Sequence, residues 1–445
     1  GYDLAVIADS TAGMQAALNA CPVGGTVLIP PCPGSMTEYV LTAPLTIPHN
    51  DMAIGAIGHA RPKITASGNA VGFDYMISAT SRSRVHVFGL HLNANKTTRS
   101  AGTQVTRYLG VGLITCDDSF VENMYIENTR GFASVPATGL TITGGNRCGG
   151  RKLWFLNNGD AGAFTSDGAY VNGDGHLIEQ VWGVSVTDTV VAFENTNRSF
   201  MSQVTGSGGA CVAAIVNSSN SDTYGNGMSQ IVSNGGSASV TGIIQIGNPS
   251  AATTGVLYDT VASDILISNA TGPGMNIRKT GTPLADGVTV RNLRVRTAST
   301  QGVLVQGKNV TIDADITGTT NACIQFQDGS LNGKVPSGNL YGGTYGVYAG
   351  GNADVNIGSG VTMNGQSAYN VYAADTSIIR SSGQQMFSPG VAYMGKAAGA
   401  TVFGEAWYNG NRAVLTVLAG APGAATGKIT VLDMAGAATS YVAVT

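Results

Sequence analysis

A short repeated pattern limits what this chain can fold into more strongly than any other sequence feature. Each copy runs small, apolar, variable, apolar and then usually polar, and this alternation predicts a β-strand with one buried face. The copies occupy residues 139–143, 168–172, 190–194, 274–278, 302–306, 323–327 and 346–350. They begin about 20 to 30 residues apart, or at multiples of that spacing, which is typical of stacked repeats. One short strand per repeat predicts an all-β chain that winds as a right-handed parallel β-helix.

A second pattern places an amide side chain between or beside apolar residues. Its amides are Asn123, Gln180, Gln203, Gln230 and Asn292. In stacked coils such amides can hydrogen-bond to one another along the axis, as side-chain ladders do in other stacked-strand structures. The pattern therefore predicts an amide ladder, and the alternative is chance recurrence in a chain rich in Asn and Gly.

Composition supports one long repetitive fold and excludes several classes of function. With 445 residues the chain is long enough for one solenoid with small caps, and its 63 glycines suit frequent tight turns. A charged fraction of 11% argues against disorder, and a net charge of −3 argues against nucleic acid as a partner. The sequence has no uninterrupted apolar run of about 18 residues, so it predicts no membrane span.

The six cysteines show no spacing typical of a metal site, so we expect neither a metal nor another cofactor. Cys21 and Cys32 are joined by a short loop and could pair, although reduced cysteines with a structural role are the favoured interpretation. Cys211 and Cys323 occupy strand positions, where a free cysteine behaves as a small core residue. Motifs of zinc peptidases, α/β-hydrolases and P-loop proteins are missing from the sequence.

A helix is predicted at residues 9–20, where Ser10 or Thr11 can cap the first turn. Such a helix would plug the open end of a solenoid, whose unpaired edge would otherwise recruit other chains. Because the chain starts at Gly1 without Met or a signal-like segment, we expect a trimmed, mature or recombinant piece that an upstream domain could precede.

The last part of the chain loses the repeat near Ser381 and predicts antiparallel strands instead. Residues 401–408 and 412–418 flank an Asn-Gly turn, which is a strong hairpin signal. We therefore expect three parts, which are a cap with the first coils at 1–60, the parallel β-helix at 61–380, and a small C-terminal β-domain at 381–445.

The first 60 or so residues carry an opening motif. Residues 14–18 (MQAAL) are followed by 24–31 (GGTVLIPP), 38–41 (EYVL) and 45–48 (LTIP). This opening resembles the start of the pectate-lyase-like β-helix superfamily. That superfamily includes phage tailspikes that cut bacterial capsule or O-antigen, polygalacturonases, alginate epimerases and secreted lyases.

The resemblance implies a polysaccharide-cleaving enzyme of tailspike type that binds a bacterial surface polysaccharide. It also implies a homotrimer on a virion tail, an upstream virion-attachment domain, and a C-terminal domain that trimerises or binds sugar. Secretion is the alternative location. Hydrolysis is slightly favoured over elimination, because acids outnumber convincing bases in the main polar cluster. A uronate lyase, a non-catalytic adhesin or tail fibre, and a structural spacer are the other interpretations.

That polar cluster lies at residues 160–198 and contains the candidate catalytic groups. Glu194 falls one coil after Asn172, and Asp174 lies two residues beyond Asn172. Strand spacings then put Asp174 and Glu194 about 8 Å apart at the backbone, within the roughly 6.5–9.5 Å of inverting glycosidases. We expect Glu194 and Asp174 to act as acid and base, with Asp167, just before the strand, as the third candidate.

Polar and aromatic side chains near these acids are candidate contacts to the hydroxyl groups and charges of a sugar. In a lyase, some of them would instead supply the base and neutralise a uronate. Similarity to the polygalacturonase motifs is loose, and the order and spacing do not match, so no mechanism is carried over. The candidate binding residues are Tyr170, Asn172, His176, Arg198 and Arg278.

Each candidate also has a structural interpretation. Asp167 and Asp174 both precede a glycine, which is common turn chemistry. A turn position is favoured for His176, and a surface ion pair is the alternative for Arg198 and Arg278. Trp182 is more typical of a core position than of a sugar platform.

Overall fold

The computed structural model describes residues 9–32, 37–58, 61–67, 74–96, 110–131, 137–160, 166–236, 242–247, 254–278, 285–386, 392–397, 399–408, 411–416, 427–432 and 438–444. Within these ranges the chain forms one α-helix, α1 (Thr11–Ala20), and 38 strands. None of the helical structure in them is long and apolar enough to cross a membrane. The chain divides into two compact units, which are Gly1–Ile215 with Asn226–Val232, and Val216–Gly225 with Ser233–Thr445.

The strands are short, as the repeat period predicts. The first of them are β1 (Thr26–Ile29), β2 (Tyr39–Leu41), β3 (Leu45–Thr46), β4 (Ala53–Ala56), β5 (Lys63–Ala66), β6 (Ile77–Thr80), β7 (His86–Phe88), β8 (His91–Asn93), β9 (Val111–Ile114), β10 (Phe120–Glu127), β11 (Ala137–Asn146), β12 (Gly149–Leu156), β13 (Ser166–Asp174), β14 (Leu177–Val184), β15 (Thr189–Asn197), β16 (Phe200–Ser207), β17 (Cys211–Val216), β18 (Thr223–Tyr224) and β19 (Gly227–Gly236). The others are β20 (Ile244–Ile246), β21 (Leu257–Tyr258), β22 (Val261–Ala270), β23 (Met275–Arg278), β24 (Ala285–Asp286), β25 (Thr289–Val295), β26 (Val303–Lys308), β27 (Thr311–Thr319), β28 (Ala322–Phe326), β29 (Gly333–Gly342), β30 (Tyr345–Ala349), β31 (Asp354–Asn364), β32 (Tyr369–Ala373), β33 (Ile378–Met386), β34 (Ala392–Lys396), β35 (Thr401–Tyr408), β36 (Asn411–Thr416), β37 (Gly427–Leu432) and β38 (Ala438–Val444).

In the first unit the strands stack in parallel, each on a strand of the next coil. One ladder runs through β1, β4, β7, β10, β12, β14 and β16, and another through β3, β6, β9, β11, β13 and β15. Buried residues at equivalent positions stack in the interior, and one such column is Ile54, Val87, Val121, Gly150, Ile178 and Met201. This stacking of buried apolar residues between parallel ladders is the core of a parallel β-helix.

The helix predicted at 9–20 is present as α1, and it covers the edge of β3. Gln15 donates its Nε2–H to the carbonyl of Thr46 at 3.0 Å and accepts the N–H of Thr46 on Oε1 at 2.8 Å. Asp9, rather than Ser10, accepts the first backbone N–H of α1, at 2.9 Å. The side chain of Gln15 thus takes the place of a neighbouring strand, which satisfies backbone groups that an edge strand would otherwise leave open.

The second unit has the same parallel stacking, followed by antiparallel strands. Its ladders run through β22, β25, β27, β29, β31, β33 and β35, and through β20, β23, β26, β28, β30, β32 and β34. From β35 to β38 the pairing is antiparallel, which confirms the predicted hairpin, whose turn residues 409–410 lie outside the described ranges. Ser381 lies inside β33, and parallel pairing continues into β35. The division at residues 60 and 380 stays a prediction.

The repeated pattern marks neighbouring positions of successive coils, as predicted. Its third residues are register partners within each unit: Thr141, Tyr170 and Ala192 in the first, and Asn276, Leu304, Gln325 and Tyr348 in the second. The third residue of such a pattern should face outward, away from the buried apolar positions, but this does not hold throughout, because Thr141 and Asn276 are each only 1% exposed. Thr141 tolerates burial because its hydroxyl is hydrogen-bonded to the hydroxyl of Thr138.

The predicted amide ladder is not continuous, and its amides share a backbone conformation instead. All five have φ between 49° and 55°. This left-handed conformation interrupts the strand, and Asn adopts it more readily than most residues do. Lys152, with φ 55°, occupies the position between Asn123 and Gln180 in the stack. Amides do hydrogen-bond along the axis at a different position, formed by Asn93, Asn128 and Asn157.

Candidate active site

Three carboxyl groups of the first unit interact electrostatically. Asp167 lies on β13, Glu194 on β15, and Asp188 in the turn between β14 and β15. Asp167, which the sequence placed just before the strand, lies within β13 and is 5% exposed. Its Oδ1 accepts the backbone N–H of Thr189 at 3.0 Å. Burial raises the pKa of Asp167 well above its ordinary value, and the charges of Asp188 and Glu194 raise it further. This environment favours the protonated form of the Asp167 carboxyl.

Backbone hydrogen bonds place Asp188 beside Asp167. The N–H of Asp188 donates to the carbonyl of Ser166 at 3.2 Å, so Asp188 lies one coil after the residue that precedes Asp167. Cys211 follows one coil later and donates its N–H to the carbonyl of Asp188 at 2.9 Å. Burial, with the charge of Asp188, raises the pKa of the Cys211 thiol to about 12. Cys211 is therefore a neutral thiol beside the acids.

The strands are irregular where Glu194 projects. Because the register between β13 and β15 shifts, Asn172 faces both Glu194 and Asn195, and Asn195 has φ 55°. On the preceding coil Gly144 and Gly145 have φ 67° and 69° at a similar shift between β11 and β13. Such bulges change the direction of a side chain and are frequent next to active sites. Glu194 and Asn172 are both half-buried, so both remain accessible.

Asp174, predicted to act with Glu194, belongs to a different structural feature. Its carboxylate forms an ion pair with Arg198, whose Nε lies 3.1 Å from Oδ1. The hydrogen bond from Arg198 lowers the pKa of Asp174, which favours the ionised form. Equivalent ion pairs join an Asp to an Arg of the next coil at Asp51 and Arg84 and at Asp118 and Arg147. Because the contact repeats along the coils, the surface ion pair is the better interpretation of Asp174 and Arg198.

For His176, too, a structural role is the better interpretation. It is 1% exposed, and its Nδ1 accepts the backbone N–H of Cys148 at 3.2 Å. Its own N–H donates to Ser199 Oγ at 3.0 Å. Burial lowers the pKa of His176, so the neutral ring is favoured. Gly173 packs so tightly against this ring that a Cβ there would lie 2.5 Å from Nε2. A sugar cannot reach His176 in this arrangement.

The remaining binding candidates lie in different units. Tyr170 is half-buried on β13, between Thr141 and Ala192 of the adjacent coils, and it shares the strand with Asp167 and Asn172. Arg278 belongs to the second unit, where it is the register partner of Gln306. In the first unit Glu194 is therefore next to Asn172 and two residues beyond the partner of Tyr170, whereas Asp167 lies three residues before Tyr170 on the same strand.

Sequence reasoning included Asp188 in the polar cluster but not among the catalytic candidates, and it missed the residues that bury Asp167. Thr138 is the register partner of Asp167 and is 2% exposed. A usable signal was present, because Asp188 precedes its repeated strand by two residues, as Ser166 does in the coil before. Aligning the repeats from their preceding turns would have put Asp167 and Asp188 on adjacent positions of adjacent coils.

No disulfide or metal-ligand cluster occurs among the described residues. All six cysteines are free thiols, so the pair considered for Cys21 and Cys32 does not form. Burial raises the pKa of Cys148 to about 12 and that of Cys323 to about 11. In the part of the chain that the structure covers, no group of three or more His, Cys, Asp or Glu is arranged to hold a metal ion.

Comparison with solved structures relates this architecture to known proteins. A tailspike protein of E. coli bacteriophage HK620 in complex with a pentasaccharide matches with a TM-score of 0.56 and 14% identity, over 96% of this chain and 80% of that chain. A mutant of the same tailspike with a hexasaccharide gives 0.59 and 14%, over 89% and 76%. A polygalacturonase from Erwinia carotovora ssp. carotovora gives 0.50 and 17%, over 73% and 92%.

The chain has the right-handed parallel β-helix fold that these structures share. No protein-family model and no curated protein sequence matches it. At 14% to 17% identity the structural matches establish the β-helix alone. In a β-helix the core is filled by stacked apolar residues, so chemistry falls to the polar groups on the ladders and turns. The carboxyl cluster of Asp167, Asp188 and Glu194 is such a place.

Proposed function

We propose that this protein is a polysaccharide depolymerase that hydrolyses glycosidic bonds with the carboxyl groups of Asp167, Asp188 and Glu194. The observation that carries this proposal is the buried carboxyl of Asp167, whose pKa is raised by burial and by the charges of the half-buried acids Asp188 and Glu194. Glycoside hydrolysis needs one protonated and one ionised carboxyl, and environments that separate two pKa values provide them. Structural neighbours bound to a pentasaccharide or a hexasaccharide support a saccharide as the substrate.

In the proposed mechanism Asp167 and Asp188 share one proton, because adjacent carboxylates resist double ionisation. Asp188 is the more accessible of the two and delivers this proton to the glycosidic oxygen as the bond to the anomeric carbon breaks. Glu194 accepts a proton from a water molecule, whose hydroxyl adds to the anomeric carbon. Tyr170 and Asn172 contact the sugar on the same strand, by ring stacking and by amide hydrogen bonds.

The biological setting in this proposal rests on the resemblance of the opening motif and on the tailspike neighbours. We infer a bacterial capsule, O-antigen or exopolysaccharide as substrate, and action outside the cell from a virion tail. We also infer a homotrimer with an upstream virion-attachment domain. Its C-terminal β-domain at 381–445 trimerises or binds sugar. The lyase alternative would use Tyr170, His176 and Arg198. It is weaker, because His176 is buried and Arg198 binds Asp174.

Release of new reducing ends from a panel of bacterial capsules, O-antigens and alginate tests the proposal. Viscosity and absorbance near 235 nm are followed in the same reactions. Reducing ends without ultraviolet absorbance support hydrolysis, whereas absorbance of an unsaturated product would identify a lyase. Binding of a polymer without any loss of its length would favour an adhesin. Loss of cleavage in Glu194→Gln but not in Glu179→Gln would tie the reaction to the carboxyl cluster, because Glu179 is also half-buried but lies on β14.

A further inference from the structure

A row of aromatic and cationic side chains crosses the ladder of β12 and β14, which is not the ladder of the carboxyl cluster. Its members occupy one register position in successive coils. In order they are Lys63, His91, Tyr125, Trp154, Trp182 and Thr205. The row therefore presents a line of rings along the axis of the first unit, ended by a small hydroxyl residue.

Two tryptophans form the centre of this row. The rings of Trp154 and Trp182 stack with centroids 4.8 Å apart and planes inclined by 9°. The guanidinium of Arg61 lies over Trp154, with its Cζ 4.4 Å from the ring centroid, and its Nη2 donates to Asn123 Oδ1 at 2.6 Å. Arg61 and Trp154 therefore support Trp182 from one side.

Trp182 is accessible at the other end of the stack. It is 38% exposed, so the expected core position is wrong. The next position along the row is Thr205, which is exposed and too short to cover an indole ring. Val184, two residues further along the same strand, is exposed as well, at 47%. Exposed apolar groups within a polar surface mark binding sites, and an indole face suits the C–H face of a pyranose.

The charges beside the tryptophan pair favour an acidic partner. Arg151 and Lys152 share the carboxylate of Glu122, at 2.9 Å and 3.9 Å. The cations are 45% and 49% exposed, whereas Glu122 is only 20% exposed. Around the tryptophans, Arg61, Arg151 and Lys152 are accompanied by the carboxylates of Glu122 and Glu179, whereas Lys63 at the far end of the row pairs with Glu38 and Glu127. The more exposed charges near the tryptophans are therefore those of Arg151 and Lys152, which complement a uronate or another anionic sugar.

We propose that Trp182, supported by Trp154 and Arg61, is a binding platform for a pyranose ring of an acidic polysaccharide, outside the catalytic cluster. Arg151 and Lys152 contact the acidic groups of that polymer. Such a platform holds the polysaccharide while the carboxyl cluster acts on it elsewhere on the first unit. The proposal does not depend on hydrolysis, because binding alone reveals the site.

Binding of polygalacturonate, alginate and hyaluronan, with neutral dextran as the comparison, tests the platform. The chain has three tryptophans, two of which lie in the stack, so intrinsic fluorescence reports directly on it. We expect at least one acidic polymer to change the emission and to retard the protein in affinity gels. Trp182→Ala should weaken that binding by about tenfold or more, and Arg151→Gln should weaken it and reduce its salt dependence.

Tyr224→Ala is the matched control, because Tyr224 is 48% exposed and stacks on Tyr258 at 5.1 Å and 8° in the second unit. It should bind the polymer as the unaltered chain does. Circular dichroism checks that each variant is folded. The proposal would be overturned if Trp182→Ala bound the acidic polymer as well as the unaltered chain, or if Tyr224→Ala lost as much binding as Trp182→Ala. It would also be overturned if the protein bound dextran as tightly as the acidic polymers, or bound no acidic polymer at all. Hydrolysis of short oligosaccharides in Trp182→Ala should remain, which separates this test from that of the catalytic cluster.

Discussion

Thr189 donates its backbone N–H to the carboxyl of Asp167 on the preceding coil, at 3.0 Å. This hydrogen bond alone would favour an ionised carboxylate, yet burial together with Asp188 and Glu194 raises the pKa of Asp167. The net effect favours the protonated form of the Asp167 carboxyl, in the electrostatic field of two half-buried acids. A group with this property can supply a general acid, and the proposed hydrolysis depends on it.

Replacing Glu194 by Gln removes the proposed base while keeping its size. We expect cleavage to fall by about a hundredfold to ten-thousandfold, because general base catalysis contributes that much. Thermal stability should change little, since Glu194 is half-buried. Reducing-end assays at several polymer concentrations measure the effect. Unaltered turnover in Glu194→Gln would remove this residue from the mechanism.

Replacing Asp167 by Asn should change how the stability of the protein depends on pH. The folded state raises the pKa of Asp167, so its contribution to stability is complete below the unfolded value of about 3.9 and is lost as pH rises through the folded value. Asn cannot ionise, yet it can still accept the N–H of Thr189. The melting temperature of Asp167→Asn relative to the unaltered chain should therefore rise with pH. A pH-independent difference would contradict the buried, proton-retaining carboxyl.

Asp174→Asn should leave cleavage within about threefold, because the carboxylate of Asp174 is held by Arg198 and takes no part in the proposed chemistry. Its pKa is lowered in the folded state, so its contribution to stability is present above the unfolded value and is lost as pH falls through the folded value. We expect a small loss in melting temperature at neutral pH that disappears in acid. Asp118→Asn breaks an equivalent pair and serves as the control. A hundredfold loss of cleavage in Asp174→Asn alone would restore Asp174 as a catalytic candidate.

His176→Ala should destabilise the fold without a specific effect on catalysis. The substitution leaves the N–H of Cys148 without its acceptor inside the first unit, which costs about 1 to 3 kcal/mol. Urea unfolding measures this change in the free energy of unfolding. The pH profile of cleavage by the folded variant should match that of the unaltered chain. A shifted profile would show that His176 titrates in the reaction.

Several elements could be predicted from the sequence because they depend on local pattern. The period-two alternation at 168–172 and 190–194 identified strands that indeed pair, and the Asn-Gly turn identified the hairpin of β35 and β36. Helix α1 was predicted at the right place from its polar capping residues, although Asp9 rather than Ser10 accepts the first N–H. In each case the determining residues lie close together in sequence, so the signal survives without knowledge of tertiary contacts.

The candidate site was predicted only in part, because it depends on contacts between coils. Glu194 and Asp167 were identified as acids, but the sequence could not show that Asp167 is buried or that Asp188 lies beside it. The role of Asp174 depended on Arg198, which lies 24 residues later. Small differences in turn length and a bulge set these registers, and a shift of one residue moves a side chain to the other face.

What the sequence by itself determined is therefore the type of coil: strand, turn and buried apolar positions repeated at a regular spacing. What only the tertiary structure decided is which polar side chains meet across neighbouring coils, such as Asp167 with Thr189 or Trp154 with Trp182. The physical reason is that burial and charge shift a carboxyl's pKa through neighbours in space, and in a β-helix those neighbours lie a full coil away along the chain.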